Sequence, residues 1–105
     1  MLAGLNHERM TAIHSVVGIL SEAPVQRAWV FGSFARMEER PDSDLDLLVD
    51  FEQGAPLGLM AVASLIQKLE KEAGRKVDLV PRSALKSFAK ESVERDKYLV
   101  YERTR

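Results

Sequence analysis

The chain has 105 residues, 46% of them hydrophobic, a formal charge of −1 and no cysteine. Length and apolar content fit a single domain over residues 1–105. The missing thiols exclude disulfides, zinc–thiolate centres and cysteine nucleophiles, so any metal takes oxygen or imidazole ligands, and a hard cation such as magnesium fits best. The near-neutral balance speaks against direct nucleic-acid binding through a basic surface. No stretch approaches the roughly 18 uninterrupted apolar residues that cross a bilayer, and no cationic segment leads into an apolar run at the N-terminus. A cytoplasmic protein without membrane attachment is the expectation.

From Asn6, an N-cap residue type, apolar side chains at Met10, Ile13, Val17 and Leu20 follow helical spacing until Pro24 stops the pattern. Arg27 to Phe31 is a short aromatic and β-branched run that ends at Gly32, as a strand entering a turn does. Ser33 to Glu38 then predicts a short helical turn capped by Ser33, and residues 39–43, with Pro41, predict a loop. Leu45 to Phe51 has too many consecutive apolar residues for a half-exposed strand and belongs in the middle of a sheet. Beyond Gly54-Ala55-Pro56, the spacing of Leu59, Val62, Ile66, Leu69 and Ala73 predicts a second helix that Gly74 ends. Lys76 to Val80 predicts a third strand stopped by Pro81. Ser83 to about Glu94 has helical character through Leu85, Phe88, Ala89 and Val93. Tyr98 to Tyr101 is either a terminal strand or a helix end, docking on the sheet or forming a subunit contact in a homo-oligomer. The alternation of elements predicts one α/β unit with the strand order open.

Asp44 and Asp46 flank one residue at the start of the second strand, so alternation sends both carboxylates to one face. The Gly32-Ser33 turn upstream can offer backbone N–H groups to a phosphate. Paired acids and a phosphate-binding turn together describe a metal–nucleotide site. A third carboxylate on a neighbouring strand would complete it. Asp78, between Val77 and Leu79 in the third strand, is the candidate: burial without a partner would be costly there, and the residue could serve as general base. Arg36 has two readings, a phosphate ligand or an ordinary surface pair with Glu38 or Glu39.

These residues resemble the minimal nucleotidyltransferase domains of the polymerase-β-like superfamily, whose signature is a Gly-Ser turn, an Asp-x-Asp strand and a later acidic strand. Gly32 and Ser33 match the triphosphate-binding turn, Asp44 and Asp46 the paired metal ligands, and Asp78 the third carboxylate, over about Trp29 to Val80. Met37 departs from the pattern, standing where many relatives have glycine after the arginine. The resemblance implies a small mixed sheet flanked by helices (α+β). It also implies transfer of a nucleoside monophosphate, with ATP as substrate and two Mg2+ ions, onto a hydroxyl. Small domains of this kind resemble antitoxins that modify a tyrosine of a HEPN-type toxin partner with AMP. The alternative is a noncatalytic antitoxin that neutralises its partner by binding alone.

Plainer readings cover the remaining features. With only His7 and His14 and no triad signature, Ser33 is not an acyl-transfer nucleophile, and His14 is a surface or boundary residue. Trp29 and Phe31 point to one side of their strand, which core packing explains more simply than base stacking. Arg75, Lys76, Arg82, Lys86 and Lys90 are interspersed with acids and read as a solvated face before an anion-binding one.

Overall fold

The computed structural model describes residues 2–40, 42–55 and 58–104, with side chains from Met10 onward. Pro41 and Pro56, used above as loop markers, and the side chains of Asn6 and His7 lie outside that set. The elements are α1 (Leu2–Ser21), β1 (Val25–Phe31), β2 (Leu45–Phe51), α2 (Leu59–Ala73), β3 (Val77–Pro81), a 3-10 turn (Arg82–Ala84), α3 (Ser87–Asp96) and β4 (Tyr98–Glu102). The sheet order is β3-β2-β1-β4. β2 runs parallel to β3, joined through α2, while β1 is antiparallel to both β2 and β4. This is the expected mixed sheet with helices, and the C-terminal segment resolves as an edge strand. Among the described residues no helix is long and apolar enough to cross a membrane.

Strand alternation sorts the core into two layers. Leu45, Leu47 and Val49 of β2 join Ala28 and Val30 of β1 and Val77 of β3 under Ala12, Val16 and Leu20 of α1 and Leu65 and Leu69 of α2. On the other face Leu48 packs with Trp29 and Val93 of α3, with Phe31, Val80 and Leu85 around them. Because β2 is covered on both faces, its apolar run is nearly continuous, as its sequence required. Trp29 is thus closed over by packing, with Arg82 and Lys97 at 5.2 and 4.8 Å from its ring centroids. That leaves no face for a base to stack on.

Several boundaries and faces differ from the sequence reading. α1 starts at Leu2, placing Asn6 inside the helix. Its buried line is Ala12–Val16–Leu20, a strict spacing of four, and Met10 faces water at 54% exposure. In α2, Leu65 and Leu69 carry the packing and Leu59 is exposed. β1 begins at Val25, ahead of Arg27, and carries a register shift between those residues. Pro81 closes β3 opposite Val49, a placement an edge strand tolerates. The predicted helix from Ser83 is divided: Leu85 and Lys86 are extended (ψ 127° and 147°), α3 starts at Ser87, and Phe88 is left at 86% exposure.

Candidate active site

The end of β1 and the starts of β2 and β3 meet at one end of the sheet. Phe31 pairs with Asp46, and Asp46 pairs with Asp78 across the parallel β2–β3 ladder. Register partners on adjacent strands project to the same face, so Asp46 and Asp78 stand side by side. Asp44 lies just ahead of β2, in a segment anchored where the Leu45 N–H donates to the Lys76 carbonyl at 2.9 Å. The Asp46 carboxyl is pushed up to about 6, first by burial and then by the negative charges of Asp78 and Asp44, against a smaller opposing pull from Arg36. Electrostatically the three acids form one group. Among the described residues no three carboxylate or imidazole side chains stand close enough together to hold a metal ion as they are placed. Asp44 and Asp78 are exposed, which overturns the burial argument made for Asp78. β3 is an edge strand, and the small layer under α3 gathers around Trp29, Leu48 and Val93, so Asp78 keeps its water.

Gly32 is tied to Asp46 by space. Its φ is +69°, and a Cβ there would stand 2.2 Å from the Asp46 Oδ2, a distance no side chain tolerates. The turn therefore lies directly against the central carboxylate. Residues 32–37 form turns and not a helix: the N–H groups of Arg36, Met37 and Glu38 donate to the carbonyls of Gly32, Phe34 and Ser33 at 3.1, 3.3 and 2.8 Å. The Ser33 hydroxyl makes no capping bond among the described residues. The N–H groups of Ser33, Phe34 and Ala35 likewise find no acceptor among them, which leaves three adjacent donors on the turn beside the acids. Phe34, 3% exposed, anchors the turn in the larger core.

Arg36 makes the surface pair, with Nε 2.9 Å from Glu38 and Nη1 3.9 Å from Asp96, yet its charge is still felt at Asp46. Met37 takes φ 59°, a left-handed conformation in which glycine carries no steric penalty. His14 is exposed on α1. Of the basic group, Arg82 binds Asp50 and Arg75 reaches back to the loop ahead of Asp44. By sequence Arg75 is one of several solvated charges, and its only local signal is its place between the Gly74 helix stop and β3.

The arrangement sets three acidic residues next to a turn with free amide donors. The chain is 44% identical over 72 residues to the protein adenylyltransferase MntA of Thermococcus cleftensis, covering 69% of this chain and 71% of that protein. A solved structure described as a candidate minimal nucleotidyltransferase superposes with a TM-score of 0.71 at 38% identity, over 90% of this chain and 93% of that one. A crystal structure of a toxin–antitoxin with AMP-PNP shares the fold at a TM-score of 0.73 and 22% identity, over 87% and 73% of the two chains. The family model for the nucleotidyltransferase domain matches residues 13–100, and the chain belongs to that family.

Proposed function

We propose that this nucleotidyltransferase moves AMP from ATP to a tyrosine hydroxyl of a HEPN-type toxin and thereby acts as its antitoxin. The observation that carries the reading is the register pairing of Asp46 with Asp78 directly against Gly32, which sets carboxylates and amide donors on one small surface. Two similar proteins support a protein acceptor and the antitoxin role. MntA of T. cleftensis is named a protein adenylyltransferase. A Shewanella oneidensis complex holds a tri-AMPylated HEPN toxin with an MNT antitoxin, sharing this fold at a TM-score of 0.67 and 20% identity.

Asp44, Asp46 and Asp78 are the side chains that would hold Mg2+, and their crowded negative charge, with no direct salt bridge among the described residues, fits a divalent cation. Bound there, the metal would offset charge on the phosphates and lower the pKa of the attacking hydroxyl. The free N–H groups after Gly32 orient the polyphosphate, and Arg36, released from Glu38, is within electrostatic reach of the same anion. The tyrosine oxygen attacks the α-phosphorus, the bond to the bridging oxygen breaks and pyrophosphate leaves. Asp78, exposed, takes the hydroxyl proton. The test is incubation of the purified chain and its HEPN partner with α-labelled ATP and Mg2+. Label on the partner, lost in Asp46→Asn while the complex still forms, supports the reading. An Asp46→Asn variant that neutralises the partner as well as the parent does would assign the function to binding alone.

A further inference from the structure

One arginine touches all three segments that build the site. Arg75 follows Gly74, whose left-handed φ closes α2, and lies two residues ahead of β3. Its Nη1 donates to the Ser43 carbonyl at 3.1 Å and to the Arg40 carbonyl at 3.3 Å. The guanidinium lies over the Phe34 ring, 4.9 Å from the centroid. Ser43 directly precedes Asp44, Phe34 directly follows Ser33, and Lys76, next to Arg75, accepts the Leu45 N–H. Arg75 Nε is buried with no partner among the described residues, whereas an arginine turned to solvent would hydrate every donor. Stacking and the two carbonyl bonds hold the side chain inward against that cost.

We infer that Arg75 is a positioning residue, clamping the Asp44 segment, the Gly-Ser turn and the approach to the Asp78 strand so that metal and nucleotide meet carboxylates already in place. Its mechanical part stands on geometry; its consequence for ligand binding rests on the transferase reading. Lysine cannot replace it, because an ammonium lacks the planar guanidinium face that lies over Phe34 while Nη1 reaches both carbonyls. The molecule supplies its own control. Arg103 does the same kind of work at the opposite end of the sheet: it donates to the carbonyls of Val25, Ser21 and Ala23 and lies 5.8 Å from the Tyr101 ring centroid. It touches none of the site segments.

The experiment compares Arg75→Met, Arg75→Lys and Arg103→Met with the parent, at a temperature where each is folded. The readouts are hydrogen exchange of the Leu45 amide and affinity for Mn2+ with AMP-PNP. Both Arg75 variants should exchange Leu45 about 10-fold faster and bind Mn2+–AMP-PNP about 10-fold more weakly, while Arg103→Met loses thermal stability but changes neither. If Arg75→Met does not fold, Arg75→Lys decides. Unaltered Leu45 exchange in a folded Arg75 variant, or an equal affinity loss in Arg103→Met, overturns the inference. A parent that binds no Mn2+–AMP-PNP would sink the transferase reading instead, and Leu45 exchange alone would then decide the clamp.

Discussion

Asp46 and Asp50 sit on one strand, four residues apart and on the same face, and they live in opposite electrostatic surroundings. Asp50 receives Arg82 Nε at 2.9 Å and Arg27 Nη1 at 3.5 Å, and Arg27 passes on to Glu102 at 2.9 Å, so one carboxylate links β1, β2, β4 and the turn after β3. Asp46 has no direct salt bridge among the described residues, faces Asp78 and feels Asp44. The distal end of the sheet spends its acid on cohesion. The proximal end concentrates negative charge at a cost in stability, as the proposed cation-binding role would require.

Asparagine at each position separates the two ends most sharply. On the proposed reading Asp46→Asn should cut AMP transfer roughly 10²- to 10⁴-fold, since the cation it would help hold offsets several kcal/mol of transition-state charge, at about 1.4 kcal/mol per decade. Asp50→Asn should leave transfer unchanged and lower stability by only about 0.5–1 kcal/mol, because its arginines are more than a third exposed. Label transfer and urea melts on the pair check this. Equal loss of transfer in both variants would erase the distinction between the ends.

Glycines offer the next test. Gly32→Ala meets two penalties, a left-handed φ and a Cβ 2.2 Å from Asp46 Oδ2, whereas Gly54 has φ +79° and nothing within 4 Å. Both alanines should cost about 1–2 kcal/mol from the backbone. Only Gly32→Ala should also displace the carboxylate, with a loss of about 10²-fold in transfer. A Gly54→Ala variant equally inactive would move the cause from the carboxylate to general strain.

Much of this was legible before the fold. The bounds of β2 follow from the apolar residues Leu45, Leu47, Leu48, Val49 and Phe51, and the end of α2 from Gly74. Other features were hidden for physical reasons. Asp78 interrupts an apolar run and so suggested burial, but its strand is at an edge and the side chain is solvated, and alternation alone cannot say which strands lie at edges. The α1 face was legible in part: Leu20 is buried and Ile13 packs against the core as the spacing predicts, but Ala12 and Val16 carry the buried line with Leu20 while Met10 is left outside. Arg75 was illegible because its partners lie 32 and 35 residues away in sequence. Ion pairs and cation–π stacks across such separations leave no periodicity to read.

Acid titration sharpens the comparison at a smaller scale. Asp46 has a carboxyl raised from 3.8 to about 6 in the fold. A raised value means that the folded state holds the proton more tightly than the unfolded chain. This contribution to stability is therefore fully present below about 3.8 and lost as pH rises through about 6. The full shift would amount to about 3 kcal/mol, and solvent screening in an open site reduces that to about 1–2 kcal/mol. Asp46→Asn should thus be about 1–2 kcal/mol more stable than the parent at pH 7.5, with the gap closing near pH 4. Saturating Mg2+ should narrow it from the parent's side by binding the folded form. Urea melts across pH 4–8 provide the curve, and a pH-independent difference would detach the shift from Asp46.

The smallest effect belongs to Met37, where the proximal turn stores strain of another kind. Its φ of 59° costs about 1–2 kcal/mol for a residue with a Cβ, and its side chain, 73% exposed, recovers little of that by packing. Glycine removes the steric term but frees the unfolded chain, which takes back about 0.5–1 kcal/mol. Met37→Gly should therefore stabilise the protein by about 0.5–1 kcal/mol, and Met37→Ala, which keeps the Cβ, should be neutral. Glu38 and Arg36 report on the same turn, since the Glu38 N–H closes it at 2.8 Å and the two side chains pair at 2.9 Å. If Met37→Gly lowered the urea midpoint while Met37→Ala did not, backbone freedom would be harming the turn that holds Gly32 against Asp46. Rigidity there, bought with a strained methionine, would then be part of how the charged end is kept in order.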